Sequence, residues 1–536
     1  MDEECLEFKN SMKKHKDWKC EKAMNKIKKA DMKKIAKENI GIILFTICMA
    51  GYYGWRMFAL DPWYDELYTY YSFISKGPVY AAIHWPVPNN HVMYSVVSAF
   101  LNIFGNSYIS LRGISFLASV ANLVLLYCLV RKFMNKRLSL GCVALYSGFY
   151  LVNYISIQGR GYTIAISFYL IALLMLYNIC VEKKDKLIYY VVFSLCLTWG
   201  LYTITSNLYW VLPVCFVGGL YLLFQKEIKI LIHLIISSVI AAIHTLGLYS
   251  IIWLAIGSNL LSKTPDSGYY GIYQVKIILA APFKALKTGM DYMLASPYVQ
   301  SIERGDMLSG FGGWLENLMN LFINNMGKIL VFVLIAAFLG SIVLGKKMLE
   351  QNEKKHFFLY VYIGATIFAI PLILIVQSVL PYHRVFTFGG VLLALIFFTV
   401  CSEFVKGKGT WIICGLSLLF CGWQISSEYY TAPYAGREVD IKEIWEQSGI
   451  EECPDNICFM DDYQKYVFQF YWDYRPTENW QEEARYILMP KEVMEEEYKA
   501  KIWPILYTYD EINWEALKEC KVVTETDSYV LYEREK

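Results

Sequence analysis

Apolar runs of about twenty residues, each long enough to cross the hydrocarbon core of a bilayer, recur along most of this chain. The first runs from Ile40 to Leu60. Further runs near 107-130, 138-157, 161-181, 186-204, 206-224, 229-255, 328-345, 356-380, 383-403 and 409-425 bring the predicted total to about eleven spans. Hydrophobic residues make up 56% of the 536 positions and aromatic residues 16%, outside the usual range of soluble domains. The pattern predicts a polytopic α-helical membrane protein. A shorter apolar stretch, 89–104, reads as a helix lying near the interface.

Charge orients the spans. The segment 1–39 is rich in lysine and carries no signal-peptide cleavage pattern, so it is expected to be a basic cytoplasmic flank. With that start, the basic loops at 131–137, 183–186, 226–229, 346–355 and 406–408 all fall on the inner side. The short outer turns hold isolated basic residues, Arg160 in one and Arg384 with His383 in another. An odd number of spans sends the C-terminus outside. The expected localisation is the cell membrane, multi-pass, with a cytoplasmic N-terminus and an extracytoplasmic C-terminus.

The expected divisions are the N-terminal segment 1–39, a membrane domain 40–425 and a C-terminal extracytoplasmic unit 426–536. Two outer loops of the membrane domain, 61–106 and 256–327, are long enough to form interfacial helices. The tail carries strand-like runs at Ile457 to Met460, Arg485 to Met489 and Val522 to Tyr532 with helix-like stretches between, which predicts a small α/β domain. The fourteen cysteines are scattered and read mostly as small apolar packing residues; Cys453 and Cys458 are spaced to close a small disulfide loop in an oxidising compartment.

The candidate chemistry gathers on the predicted outer side. Asp61-Pro-Trp-Tyr-Asp65-Glu66 puts two adjacent carboxylates just beyond the first span, where charge is costly without a task or a partner. Asn90 and His91 follow in the same loop, Arg112 begins the next span, Arg160 and Tyr162 sit in the turn Gln158-Gly-Arg-Gly-Tyr162, and Arg384 sits in Pro381-Tyr-His-Arg384. Taken singly these have plainer readings: an arginine at a span end snorkels to headgroups, a loop histidine is solvated, and His233 and His244 pack within a span. Taken together, the arginines offer forks of donors to a substrate phosphate. A nearby carboxylate would accept a proton from an attacking group, or Asp65, Glu66 and His91 would ligate a divalent cation. The same charges could instead line the pathway of a transporter or flippase for a lipid-linked or anionic solute.

The acidic pair, the Asn-Asn-His element, Arg112, the Arg160-Gly-Tyr162 turn and the Pro381-x-x-Arg384 turn together resemble the GT-C superfamily of membrane glycosyltransferases. Within it the chain is similar to the bacterial protein O-mannosyltransferase-like group and to the lipid A aminoarabinose transferases. That resemblance implies a GT-C-like fold, a polyprenyl-phosphate sugar donor, a cell-envelope, glycolipid or protein acceptor, and no nucleic-acid partner. It implies Asp65 as catalytic base with Glu66 beside it, and Arg112, Arg160, Tyr162, Arg384, His91 and Asn90 around the donor phosphate or substrate. Where relatives often show His-Pro-Pro this chain has His91-Val92-Met93, and where some carry an acid in the second outer turn it has Gln158.

Overall fold

The computed structural model describes residues 37–84, 90–262, 272–295, 304–427, 436–451, 457–474 and 484–534. Among these, eight helices are long and apolar enough to cross a membrane: Ile40–Ala59, Ser107–Val130, Tyr162–Cys180, Thr205–Phe224, Ile228–Leu261, Gly327–Glu350, Lys354–Gln377 and Gly409–Ser426. The other three predicted spans are helical but shorter. Leu187–Thr203 and Gly389–Phe404 are apolar helices, and 138–157 is broken into Lys136–Gly148 and Tyr150–Ile155. The break falls at Phe149, whose backbone is extended. The amides just beyond it, Tyr150 and Leu151, donate to the carbonyls of Phe322 and Leu321 at 3.0 and 2.7 Å. Backbone that leaves the helix is thus paired with protein, as an apolar surround requires.

The ends of the spans sort as the charge pattern predicts. Lys132 pairs with Glu182, Lys183 with Glu227 and Lys229 with Asp185, so the loops near 131–137, 182–186 and 226–229 meet at one end of the bundle. Tyr127 donates to Asn39 at 3.1 Å, which brings the N-terminal flank to that same end. The Ile228–Leu261 helix has 34 residues and, at 1.5 Å per residue, is roughly 50 Å long, so it projects beyond a bilayer core. Its projecting part packs closely on Pro282–Ala295, backbone against backbone at Gly257 and Gly289. Ile272–Ala280 and Arg304–Asn320 complete the helical content described for the second long loop.

One histidine reading is corrected. His233 faces Asp185 at 3.1 Å, but His244 is exposed on the outer surface of its helix, not packed within the bundle.

The tail forms a four-stranded sheet in the order β1-β2-β4-β3, with β1 Ile457–Phe459, β2 Tyr486–Pro490, β3 Cys520–Glu525 and β4 Tyr529–Arg534. β1 and β2 are parallel and the other pairs antiparallel, and the run read as one strand from Val522 to Tyr532 is a hairpin. Helices Gly436–Gln447 and Asp462–Trp472 cover one face, where Ile441, Ile444, Trp445, Val467 and Phe468 pack on the sheet. Cys458 is buried in the tail's second cluster, and Cys453 lies outside the described residues.

Candidate active site

The acidic pair opens a nine-residue helix, Tyr64–Ser72, that leaves the end of the first span across the short loop Leu60 to Trp63. The two carboxylates point to different partners. Glu66 and Arg112 are both 1% exposed and form a two-point ion pair, with Nε to Oε1 at 2.8 Å and Nη2 to Oε2 at 2.7 Å. The remaining Arg112 donors reach the carbonyls of Met57, Leu60 and Asp61, at the frayed end of the first span. Glu66 also accepts the Gly159 N–H at 2.5 Å and the Trp63 N–H at 3.4 Å. All five N–H groups of Arg112 are therefore used, and the pair works as a strut joining the first span, the motif helix and the 156–161 turn.

Asp65 lies apart from this strut. Its Oδ2 is 3.1 Å from Nη2 of Arg384, and its side chain keeps 18% of its surface. Arg384 donates from Nε to the Tyr162 hydroxyl at 3.1 Å and lies over the rings of Trp63 and Tyr382 at 5.3 and 4.9 Å. Arg160 donates from Nη1 to Thr69 Oγ1 at 2.5 Å and to the Asp65 carbonyl at 3.3 Å. Its Nη2 is 3.1 Å from Nε2 of His91.

His91 is fixed from its other nitrogen. Nδ1 accepts the Gly161 N–H at 2.7 Å, and burial together with the charges of Arg160 and Arg384 holds the imidazole well below its usual range. A neutral ring that accepts at Nδ1 carries its proton on Nε2. That proton and the Arg160 guanidinium then face the same space. The turn holding Arg160 depends on its glycines. A Cβ at Gly161 would stand 2.4 Å from Thr203 Cγ2, and one at Gly159 2.4 Å from Leu111 Cδ1.

These side chains border a cavity of about 290 Å³, lined among others by Asn90, His91, Arg160, Tyr162 and Arg384. Asn90 holds its loop by donating to the carbonyls of Ala81 and His84, and its buried Oδ1 has no partner among the described residues. Five of the six residues expected around the donor thus meet, and Asp65 touches the group through Arg384. Arg112 and Glu66 do not line the cavity. Nor do the residues present fit a cation held by Asp65, Glu66 and His91. Both Glu66 oxygens and His91 Nδ1 already accept hydrogen bonds, His91 Nε2 carries the ring proton, and the described residues hold no group of three or more His, Cys, Asp or Glu placed to bind a metal.

Sequence reading missed several contributors. Arg56 is wholly buried in the first span and donates to the Asn153 carbonyl at 2.8 Å. Tyr209 donates to Gln377 at 2.6 Å on the cavity wall. The tail domain also grips the motif. Glu438 accepts the Tyr64 N–H, Lys442 pairs with Asp61 at 2.9 Å, Tyr471 donates to Asp61, and Leu67 enters the tail's apolar cluster. Burial pushes the Glu438 carboxyl up to about 7 against the opposing pull of backbone hydrogen bonds. No local pattern announces contacts between positions 374 apart.

Residues 91–253 match the family model described as dolichyl-phosphate-mannose-protein mannosyltransferase. The matched stretch contains His91, Arg112, Arg160 and Tyr162 and excludes Asp65, Glu66 and Arg384. No curated protein matches the chain. Among solved structures, the Archaeoglobus fulgidus oligosaccharyltransferase in complex with zinc and sulfate is similar at 14% identity and a TM-score of 0.42, over 81% of this chain and 58% of that one. The chain therefore spans less than two thirds of that enzyme's length. ArnT from Cupriavidus metallidurans bound to undecaprenyl phosphate is similar at 12% identity and a TM-score of 0.40, over 91% of this chain and 97% of that one. The expected resemblance is thus met by the family-model match over part of the chain: between residues 91 and 253 this multi-pass membrane chain is similar to the GT-C glycosyltransferases, while the acidic pair and the Pro381-x-x-Arg384 turn lie outside the match.

Proposed function

We propose that the chain transfers a sugar from a polyprenyl-phosphate donor to an acceptor on the extracytoplasmic face of the cell membrane, with the N-terminus cytoplasmic and the tail domain outside. The observation that carries this reading is the convergence of Arg160, Arg384, His91, Tyr162 and Asn90 on one cavity, with the Asp65 carboxylate paired to Arg384. Two guanidinium groups at a membrane-protein cavity suit a phosphate whose lipid tail stays in the bilayer. A phosphate oxygen between His91 and Arg160 would accept from both N–H groups that now oppose each other. The Asn90 Oδ1 suits a hydroxyl of the donor sugar.

The chemistry is a single displacement. The acceptor oxygen bonds to the anomeric carbon, the bond from that carbon to the phosphate oxygen breaks, and the electron pair leaves with polyprenyl phosphate. The acceptor proton passes to Asp65 as attack proceeds. One displacement inverts the anomeric centre. Arg384 lies against both the base and the cavity, so it can hold the leaving phosphate while keeping the Asp65 side chain in place. Glu66 takes no proton in this scheme and serves as the strut.

Donor binding tests the phosphate assignment. In nanodiscs, Arg384→Ala should weaken binding of a polyprenyl phosphate by roughly 10–100-fold, the worth of one hydrogen bond to a charged group. Polyprenyl phosphate binding that is unchanged in a folded Arg384→Ala protein would remove Arg384 from the donor site. Movement of a labelled lipid-linked sugar across the bilayer, without its cleavage, would support the transporter reading instead.

A further inference from the structure

A second cavity, of about 1210 Å³, opens between the C-terminal half of the motif helix and the Asp462–Trp472 helix of the tail. It is some four times the volume of the donor cavity. Tyr70, Tyr71, Tyr466 and Phe470 give it aromatic walls, with Tyr71 and Tyr466 nearly parallel, 15° apart, at a centroid separation of 5.8 Å. Ser72, Ser75 and Gln469 add neutral hydrogen-bonding groups among the rings.

The charges at its rim nearly cancel. Asp462 and Asp473 face Lys76 and Lys465, while the oxygens of the third acid, Asp461, are taken by the Tyr529 hydroxyl at 2.7 Å and the Gln464 N–H at 2.9 Å. A polyanion or a polycation would meet as much repulsion as attraction there. A peptide adding as a strand needs a free sheet edge. Just past β1 that edge is already closed: Leu506 N–H donates to the Met460 carbonyl at 2.9 Å and Asp462 N–H to the Pro504 carbonyl at 3.1 Å. Recognition in this cavity therefore falls to side chains.

Aromatic faces flanked by carboxylates, amides and hydroxyls match one chemistry well. The C–H faces of a pyranose ring are apolar and slightly positive, so they lie against electron-rich rings, while the equatorial hydroxyls reach polar groups at the ring margins. The location also fits. Asp65 and Ser72 are seven residues apart and so share a face of the motif helix, roughly 10 Å apart along its axis. A chain-like ligand in the cavity can direct its end toward the base.

The geometry points to this cavity as the acceptor site, binding an uncharged, hydroxyl-rich glycan whose terminal hydroxyl is presented to Asp65. This rests on the glycosyltransferase reading, which supplies the donor and the step in which that hydroxyl loses its proton and bonds to the anomeric carbon. The tail domain is then part of the active enzyme, closing one wall of the acceptor groove.

Full-length protein in nanodiscs, probed on an array of neutral and acidic oligosaccharides and of peptides, tests the assignment without requiring turnover. Neutral oligosaccharides should bind. Tyr71→Ala and Asp473→Asn should each weaken that binding at least tenfold, and Tyr71→Phe should retain it. Binding confined to acidic glycans or to peptides would overturn the inference, as would neutral-glycan binding equal in wild type and Tyr71→Ala. The two readings can fail separately. Groove-dependent glycan binding with no release of polyprenyl phosphate from any donor would sink the transferase reading alone, whereas Asp65-dependent release unaffected by Tyr71→Ala at limiting acceptor would sink the acceptor assignment alone.

Discussion

Removing the Glu66 carboxylate should cost the protein its fold before it costs it any chemistry. Glu66 accepts hydrogen bonds from Arg112 at 2.7 and 2.8 Å, from Gly159 at 2.5 Å and from Trp63 at 3.4 Å, in a site where both charged side chains are at most 2% exposed. Glu66→Ala leaves the Arg112 guanidinium buried without its counter-charge, which costs about 3–5 kcal/mol in comparable buried pairs. Arg112→Met leaves the opposite charge stranded and should cost a similar amount. The double variant removes both charges together, so its loss should fall well short of the sum, with a coupling of about 2 kcal/mol or more. The assay is thermal unfolding of nanodisc-held protein, followed by tryptophan fluorescence for wild type, both single variants and the double variant. Additive losses would contradict the strut. So would a Glu66→Ala protein that is as stable as wild type yet inactive, since that result would place Glu66 in the chemistry.

Two further predictions concern the tail's grip on the motif and the Arg160 turn. Burial raises Glu438 from an ordinary 4.5 to about 7, so the folded state holds this proton more tightly than the unfolded state. The stability from this group is complete below pH 4.5 and is lost as pH rises toward about 7. At 1.36 kcal/mol per pH unit that amounts to about 3 kcal/mol, and Asp461, pushed up to about 6 mainly by burial, acts in the same direction. Unfolding midpoints should therefore fall between pH 5 and pH 8 in the wild type and fall less in Glu438→Gln; identical pH profiles would contradict the assignment. Gly161→Ala forces a methyl to within 2.4 Å of Thr203 and 3.1 Å of His91, which should cost about 1–3 kcal/mol and raise the KM for donor. Gly51→Ala, where nothing lies within 4 Å, is the control, and equal behaviour of the two variants would show that the turn has room to spare.

The spans were readable because hydrocarbon imposes length and apolarity on each helix separately, whatever its neighbours. The same holds for the charge alternation, which the Lys132–Glu182 and Lys229–Asp185 pairs reflect at one end of the bundle. The break at Phe149 was not readable, since the carbonyls of Leu321 and Phe322 that make it tolerable lie far along the chain. His244 misled because its apolar neighbours suggest burial, while its exposure is decided by which face the helix turns to the bundle.

At the site, residue types and spacing pointed to a cluster, and Arg160, Tyr162, His91, Asn90 and Arg384 do meet. What spacing could not divide was labour within the acidic pair and among the arginines. Asp65 and Glu66 are neighbours, yet one helical step of about 100° turns Glu66 to Arg112 and Asp65 to Arg384. Arg112 looks like a phosphate ligand in the sequence and becomes a strut because three backbone carbonyls at the end of the first span claim its remaining donors. The tail's hold on Tyr64 and Asp61 depends on long-range packing and left no local mark.

The most direct measurement follows release of polyprenyl phosphate from a panel of polyprenyl-phosphate sugars by nanodisc-held wild type and Asp65→Asn. The wild type should release polyprenyl phosphate from one donor and transfer its sugar. Asp65→Asn should bind that donor normally and turn over roughly 10²–10⁴-fold more slowly, the usual worth of a positioned general base. Wild-type turnover by a folded Asp65→Asn protein would contradict the assignment of the base, and no release from any donor would contradict the transferase itself.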